Sequence, residues 1–87
     1  MTMTISEMWK YLVQPHLDIT ESYSRILSDY RPLKCVFMAL AFSSEPTMFC
    51  HNAKEVQTCD NGMVYEIESA DMLMTGDNEF IVYIKLK

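Results

Sequence analysis

The sequence is poor in the residues that several classes of function require. Only Gly62 and Gly76 are glycine among its 87 residues, so it contains no glycine-rich phosphate-binding loop. Lysine and arginine number 7 against 12 acidic residues, which disfavours direct binding to nucleic acid because phosphate recognition needs clustered positive charge. No apolar run approaches the ~18 residues of a membrane span. The N-terminus also lacks a basic segment followed by an apolar stretch, so we expect a soluble, cytoplasmic protein with no membrane partner.

Cysteine and histidine are also scarce, and their spacing suits neither a disulfide framework nor a metal site. Cys35, Cys50 and Cys59 are odd in number and form no CxxC motif. With His16 and His51 they could be assembled into a zinc site, but no pair has the usual gap, and Cys50 and His51 are adjacent in a predicted strand, where they would point to opposite faces. A Cys–His nucleophile pair lacks a third, orienting group. We expect reduced, packed cysteines, no metal, no cofactor and no enzymatic activity.

The stretch from Cys35 to Phe42 contains no polar side chain. A strand with one solvated face would alternate apolar and polar residues, so this run predicts a central strand that is covered on both faces.

Two helical segments are predicted ahead of this strand. Ser6 and Glu7 can cap the first, and Pro15 should stop or kink it at Gln14. A capping box over residues 18–21 begins the second, which Pro32 ends. The apolar positions at helical spacing are Ile5, Met8, Trp9 and Leu12 in the first segment and Ile19, Tyr23, Ile26, Leu27 and Tyr30 in the second.

Short strands are predicted after the central one. A turn at residues 43–46 leads to a strand over 47–51, and a turn at Asn52–Ala53 leads to a strand over 55–59. Asn61–Gly62 is typical of a type I′ hairpin, whose register would place Thr58 opposite Tyr65 and Val56 opposite Ile67.

The C-terminal third has one ambiguous stretch. Residues 69–76 fit either one helical turn capped by Ser69 or a continuing strand with a bulge, and we favour the strand. A turn at Asp77–Asn78 precedes a strand over residues 80–86 with one apolar face. Lys85 and Lys87 would suit a strand at the edge of the sheet.

These elements predict a single α+β domain over residues 1–87. An N-terminal helix of one or two segments packs on a four- to five-stranded antiparallel sheet, giving two layers. The other sheet face would present Ile81 and Tyr83 with residues of the central strand. Because this is much apolar surface for so small a monomer, it implies a protein partner or a homodimer.

Negative charge is concentrated in one segment. Residues 52–79 hold seven acidic residues and one lysine, whereas residues 1–51 hold five acidic and four basic residues. Such a field would steer a basic surface toward the segment, although a merely solubilising face is the alternative. The candidate partner-binding residues are Glu66, Glu68, Asp71, Asp77, Glu79, Ile81 and Tyr83.

No motif is specific enough to transfer functional positions from a family. By size and charge alone, the chain is similar to the small acidic inhibitors that phages and mobile elements encode against nucleases or CRISPR complexes. That resemblance implies an inhibitor that occupies a basic functional surface of a host nucleic-acid-binding protein in the host cytoplasm. The alternatives are a structural or regulatory subunit that homodimerises through its apolar sheet face, and a small enzyme or ligand-binding domain using Tyr65, Tyr83 and His51.

Overall fold

The structure is a computed structural model that describes residues 1–19, 35–43, 45–76 and 79–87. It is an α+β fold, as predicted. Its elements in chain order are β1 (Thr2–Met3), α1 (Ile5–Met8), a π-helical turn (Trp9–Val13), helical residues 14–19, β2 (Cys35–Ala41), β3 (Met48–Cys50), α2 (Ala53–Cys59), β4 (Tyr65–Gly76) and β5 (Glu79–Leu86).

The five strands form one sheet in the order β1-β4-β5-β2-β3. Strands β2 and β5 are parallel, with Met38 opposite Val82, and the other neighbouring strands are antiparallel. The predicted number of strands is confirmed, but the prediction of a purely antiparallel sheet was wrong. Strand β5 lies in the middle of the sheet, so the edge position predicted from Lys85 and Lys87 was also wrong.

The segment that follows β3 is a helix, where the sequence predicted a turn and a strand. The Asn52 side chain accepts the N–H of Glu55 at 2.9 Å, and the Glu55 carboxylate accepts the N–H of His51 at 2.8 Å. These bonds satisfy amide groups at the start of α2 in the manner of a capping box. Val56 and Cys59, three residues apart, pack with the core. Asn52, from which the sequence predicts a turn, is the N-cap of α2.

Helix α2 accounts for the mixed sheet. It carries the chain across the core side, so that β4 runs in the same direction as β3 on the far side of the β2–β5 pair. The antiparallel partner of β4 is β5, which therefore enters the sheet parallel to β2. Parallel neighbouring strands such as β2 and β5 need a crossover connection. The predicted strand over residues 55–59 would have left the chain without this crossover.

Asn61–Gly62 lies in the loop from α2 to β4 and not in a hairpin. Gly62 has a φ of +78°, as a tight turn requires. Its N–H donates to Asp60 Oδ1 at 2.8 Å, and the N–H of Met63 donates to Asn61 Oδ1 at 3.0 Å. The predicted register of Thr58 with Tyr65 was wrong because Thr58 is helical and Tyr65 lies opposite Met3 of β1.

The first helix begins two residues earlier than predicted. Thr4 and not Ser6 is its N-cap: Thr4 Oγ1 accepts the N–H of Glu7 at 3.2 Å, and the Glu7 carboxylate accepts the N–H of Thr4 at 3.0 Å. Of the predicted apolar stripe, Ile5, Met8 and Trp9 are buried and Leu12 is partly buried against the core, while Val13, which was not predicted, is also buried. None of the helices in the described ranges combines the length and the apolar character that a membrane crossing demands.

The helix does not stop at Pro15. The π-helical turn ends two residues before this proline, and the N–H of Gln14 donates to the carbonyl of Trp9, five residues back. A widened turn accommodates a ring that supplies no N–H and crowds the preceding turn. Asp18 is therefore helical rather than a cap, and it accepts a hydrogen bond from Gln14 Nε2 at 3.0 Å. The rest of the predicted second helix, with Tyr23, lies outside the described residues.

One sheet face, here called the core face, packs against the helices. Its central side chains come from β5, whose apolar side is buried as predicted, and from Met38 and Leu40 of β2. The β5 members are Phe80, Val82, Ile84 and Leu86. Ala39 and Ala41 of β2 are also buried, on the opposite face. The predicted central position of β2 is confirmed, since β5 and β3 flank it. The described residues show no second layer over the opposite face, where Phe37 is only half-buried.

Strand β4 is long and continues through residues 69–76, as we favoured, with register shifts between Ile67 and Ser69 and between Met74 and Gly76. Strand β1 pairs with β4 at Tyr65 and Glu66, and the Met1 carbonyl accepts the N–H of Ile67, so the outer edge of β4 is covered only from Tyr65 to Ile67. Within the described parts of the chain, no strand lies beyond β4 over residues 68–76. This edge exposes unpaired backbone groups.

Candidate functional site

The sheet face that points away from the helices is the outer face. Strand pairing arranges its side chains in rows across the sheet, because directly opposed residues lie on the same side. The first row is Phe37, Ile81 and Leu73; the second is Phe49, Ala39, Tyr83 and Asp71; the third is Ala41, Lys85 and Ser69. The face thus changes from apolar to charged along the strands.

The apolar end of the outer face is aromatic and accessible. Leu73 is 59% exposed and Phe49 is 48% exposed, while Phe37 and Ile81 are half-buried. The Phe37 ring meets the Phe49 ring edge-on at 6.5 Å and the His51 ring at 4.6 Å, centroid to centroid. These contacts hold the rings in place on the surface.

The middle of the face is held by Tyr83. Its hydroxyl donates to the carbonyl of Ser43 at 2.9 Å, which ties β5 to the turn after β2. Ala39 lies between Phe49 and Tyr83 and is only 1% exposed, so the two rings and not the methyl group form the surface. A partner would meet an aromatic layer supported by a small buried residue.

The charged end holds ion pairs rather than a bare acidic cluster. Lys85 Nζ lies 3.2 Å from Glu68 Oε2, and Lys87 Nζ lies 3.4 Å from Glu66 Oε1. All four side chains are about half exposed, so the pairs add little stability, but they offset two of the carboxylates. Among the described residues, Asp71 forms no ion pair.

Most of the sequence-predicted site residues therefore share one surface. Glu66, Glu68, Asp71, Ile81 and Tyr83 lie on the outer face, and Glu79 precedes Ile81 on the same side of β5. Asp77 lies outside the described residues. Sequence reasoning missed Phe37, Phe49 and Leu73. The alternation of Phe49 with Met48 and Cys50 was a usable signal, whereas Leu73 lay in the stretch whose secondary structure was ambiguous.

The residues considered for catalysis do not converge. Tyr65 packs against the core, whereas Tyr83 and His51 lie on the outer face. Cys50 is buried on the core face and His51 is exposed, so the two do point apart, as expected from their adjacency. His16 contacts the Phe80 ring at 6.2 Å. Across the described ranges, no three His, Cys, Asp or Glu side chains are grouped so that they could hold a metal ion.

A second surface feature is a groove beside α2. This groove of about 350 Å³ is lined by Phe49, Lys54, Glu55, Thr58 and Cys59. Cys59 is partly exposed there, and its thiol neighbours that of Cys50, which is fully buried. Burial, together with the Cys59 thiol and the Glu55 carboxylate, raises the pKa of the Cys50 thiol to about 11.

Comparison with protein-family models, with curated proteins and with solved structures finds no match to this chain. Function has to be inferred from the outer face and the groove.

Proposed function

We propose that this is a non-enzymatic binding protein that holds a protein partner on its outer face. The observation that carries the proposal is the row of Phe37, Ile81 and Leu73, with Phe49 beside it: apolar side chains from four strands meet on one accessible surface. Exposed apolar patches rimmed by polar groups are typical of protein interaction sites. A sheet presents such a patch rigidly, which lowers the entropy lost on binding.

The partner suited to this face combines an apolar contact area with basic groups at one side. Asp71 adjoins Tyr83 in the second row, and Glu66 and Glu68 lie beyond it. Because Lys85 and Lys87 already offset two carboxylates, the apolar rows supply most of the affinity and the acidic residues mainly orient the partner. Covering a basic, nucleic-acid-binding surface of a host protein, and so inhibiting it, is the form of this function that size and net charge favour.

The test is affinity capture from host lysate with three versions of the protein. Wild type should retain a partner that Leu73→Asp loses and that Val64→Asp keeps. Leu73 is 59% exposed on the outer face and Val64 is 64% exposed in the loop before β4, so the two variants add the same charge at similar accessibility. Equal capture by all three proteins would contradict the assignment of the outer face.

Salt dependence then separates the two parts of the interface. If the apolar rows dominate, affinity for the purified partner should change little with ionic strength, while association slows. A steep loss of affinity with salt, together with loss of binding in Asp71→Lys, would assign the contact to the acidic residues instead.

Self-association is the second candidate, favoured by the charges of opposite sign on the outer face. A two-fold contact could place Lys85 and Lys87 of one copy near Glu66 and Glu68 of the other while burying the apolar rows. Light scattering across a concentration series should then give a dimer mass for wild type and Val64→Asp and a monomer mass for Leu73→Asp. A monomer mass for wild type at every concentration rejects this candidate.

A further inference from the structure

Strand β3 and helix α2 bring two cysteines of different accessibility into the same core cluster, with the Cys59 thiol near enough to affect the pKa of Cys50. Cys50 is the last residue of β3 and has no exposed surface, whereas Cys59 is the last residue of α2 and is partly exposed in the groove. Both belong to the contact between the helix and the core. An accessible thiol with a buried neighbour is the arrangement in which a mixed disulfide at the first can be resolved by the second.

Cys59 also lines the groove beside α2. The lining includes one basic and one acidic residue, Lys54 and Glu55, together with Phe49 and Thr58. Such a pair of opposite charges matches the carboxylate and ammonium groups of an amino-acid-type ligand. Cys59 lies in the same lining, so a bound ligand would be next to its sulfur.

We propose that Cys59 and Cys50 form a redox-active pair that reacts with small zwitterionic disulfides, of the glutathione disulfide class, bound in the groove. The Cys59 thiol loses its proton to solvent and its sulfur attacks one sulfur of the disulfide, releasing one molecule of thiol. The Cys50 thiol then loses its proton, its sulfur attacks Cys59 Sγ, and the second thiol leaves. The protein is oxidised by two electrons to a Cys50–Cys59 disulfide, and the small disulfide is reduced to two thiols.

The reaction is expected to depend on pH through its second step. Cys50 is faced by the Cys59 thiol and the Glu55 carboxylate, and its pKa is raised to about 11. Below that pH the thiolate fraction of Cys50 rises about tenfold per pH unit, so resolution of the mixed disulfide should accelerate accordingly. At neutral pH the mixed disulfide should accumulate briefly before it is resolved.

The experiment treats the fully reduced full-length chain with glutathione disulfide and follows intact mass with time. Wild type should pass through a species carrying one glutathionyl group and end two hydrogen atoms lighter than the reduced protein. Trypsin cleaves after Lys34 and Lys54, which leaves Cys35 and Cys50 in one peptide and Cys59 in the next. Fragmentation of the disulfide-linked pair of peptides then shows whether Cys59 is bonded to Cys50 or to Cys35. Cys50→Ala should stop at the glutathionylated species, and Cys59→Ser should stay unmodified at Cys50.

If Cys50→Ala fails to fold, the products of the wild-type reaction decide between the outcomes. A wild-type chain that stays glutathionylated at Cys59 without forming the linked peptides, or that joins Cys35 instead, overturns the pairing. Equal reaction rates of Lys54→Gln and wild type with glutathione disulfide, when a neutral disulfide also reacts equally with both, would overturn the role of the groove in binding the zwitterion.

Discussion

Asp60 Oδ2 accepts the backbone N–H of Ser6 at 3.1 Å, so the residue that ends α2 completes the first turn of α1 across 54 positions of chain. Its other oxygen accepts the N–H of Gly62 at 2.8 Å. The first amide groups of a helix have no partner within the helix. Thr4 satisfies one of them and Asp60 another, which fixes the N-terminal helix against the loop before β4.

Replacing Asp60 should therefore loosen the contact between the two helices. Asparagine has one carbonyl oxygen, so Asp60→Asn can keep only one of the two bonds, and we expect a lower melting temperature by calorimetry. The Ser6 hydroxyl and then the Gly62 N–H lower the pKa of Asp60 below 3.8. The stabilisation that the Asp60 carboxylate gives to the folded state is complete above that pH and is lost as the pH falls further. Stability should therefore fall less steeply with acidification in Asp60→Asn than in wild type. Identical acid limbs would show that Asp60 does not link the helices.

Substitution of Gly62 should lower the stability of the fold through backbone conformation alone. Its φ is +78°, yet a Cβ added there would meet nothing within 4 Å. Gly62→Ala and Gly62→Val should each destabilise the fold by about 1 kcal/mol or more in urea unfolding, while Gly62→Asn should cost less. Gly76→Ala is the matched control, since its nearest contact is the flexible Glu79 carboxylate at 3.4 Å. Unchanged stability of Gly62→Val would place the turn elsewhere.

Trp9 should report on the helix–sheet contact. It is 8% exposed at the start of the π-helical turn, so its fluorescence should be shifted to the blue of free indole. Trp9→Ala should cost about 3–5 kcal/mol in urea unfolding, whereas Tyr11→Ala, at a position 55% exposed in the same turn, should stay within about 0.5 kcal/mol. The indole Nε1–H has no acceptor among the described residues, so Trp9→Phe should cost less than Trp9→Ala. Emission at the free-indole wavelength would contradict this packing.

Cys50 should make stability depend on alkaline pH. Burial raises its pKa from 9.0 to about 11, so the folded state retains the proton more strongly than the unfolded chain. The resulting stabilisation is complete below about pH 9 and disappears as the pH rises toward 11, a loss on the order of 3 kcal/mol. Under reducing conditions the stability advantage of wild type over Cys50→Ala should shrink across this interval, as measured by urea unfolding. A constant difference would mean that Cys50 is less buried than described.

The parts of the fold that the sequence predicted are those with a single dominant pattern. Strand β2 follows from a run without polar residues, and β5 from strict alternation between Phe80 and Leu86. Residues 53–59 carry two patterns. The alternation of Glu55, Val56 and Gln57 is typical of a strand, whereas Asn52 and Glu55 form a helix cap. The helix forms because the cap satisfies amide groups that a two-turn helix would otherwise leave unpaired.

Whether residues 53–59 form a helix or a strand decides the topology of the sheet. The crossover through α2 sets the direction of β4 and therefore the neighbours of β5. The outer face was predictable only in part for the same reason. Ile81 and Tyr83 follow from alternation within β5, but Phe37, Phe49 and Leu73 join them only once the register between strands is known. Pro15 predicts an interruption of the helix, but it does not predict that a π-helical turn carries the helix through the proline.

The open edge of β4 bears on how the protein should be handled in the laboratory. Thr2 pairs with Glu66, and the carbonyl of Met1 accepts the N–H of Ile67 at 2.9 Å, so the chain at the N-terminus heads along β4 toward Gly76. A purification tag fused ahead of Met1 would be led directly onto this edge and could extend β1 as an artificial strand. A C-terminal tag on Lys87 avoids that. A partner captured by both tagged proteins binds the native surface, whereas a partner captured by only one of them depends on the position of the tag.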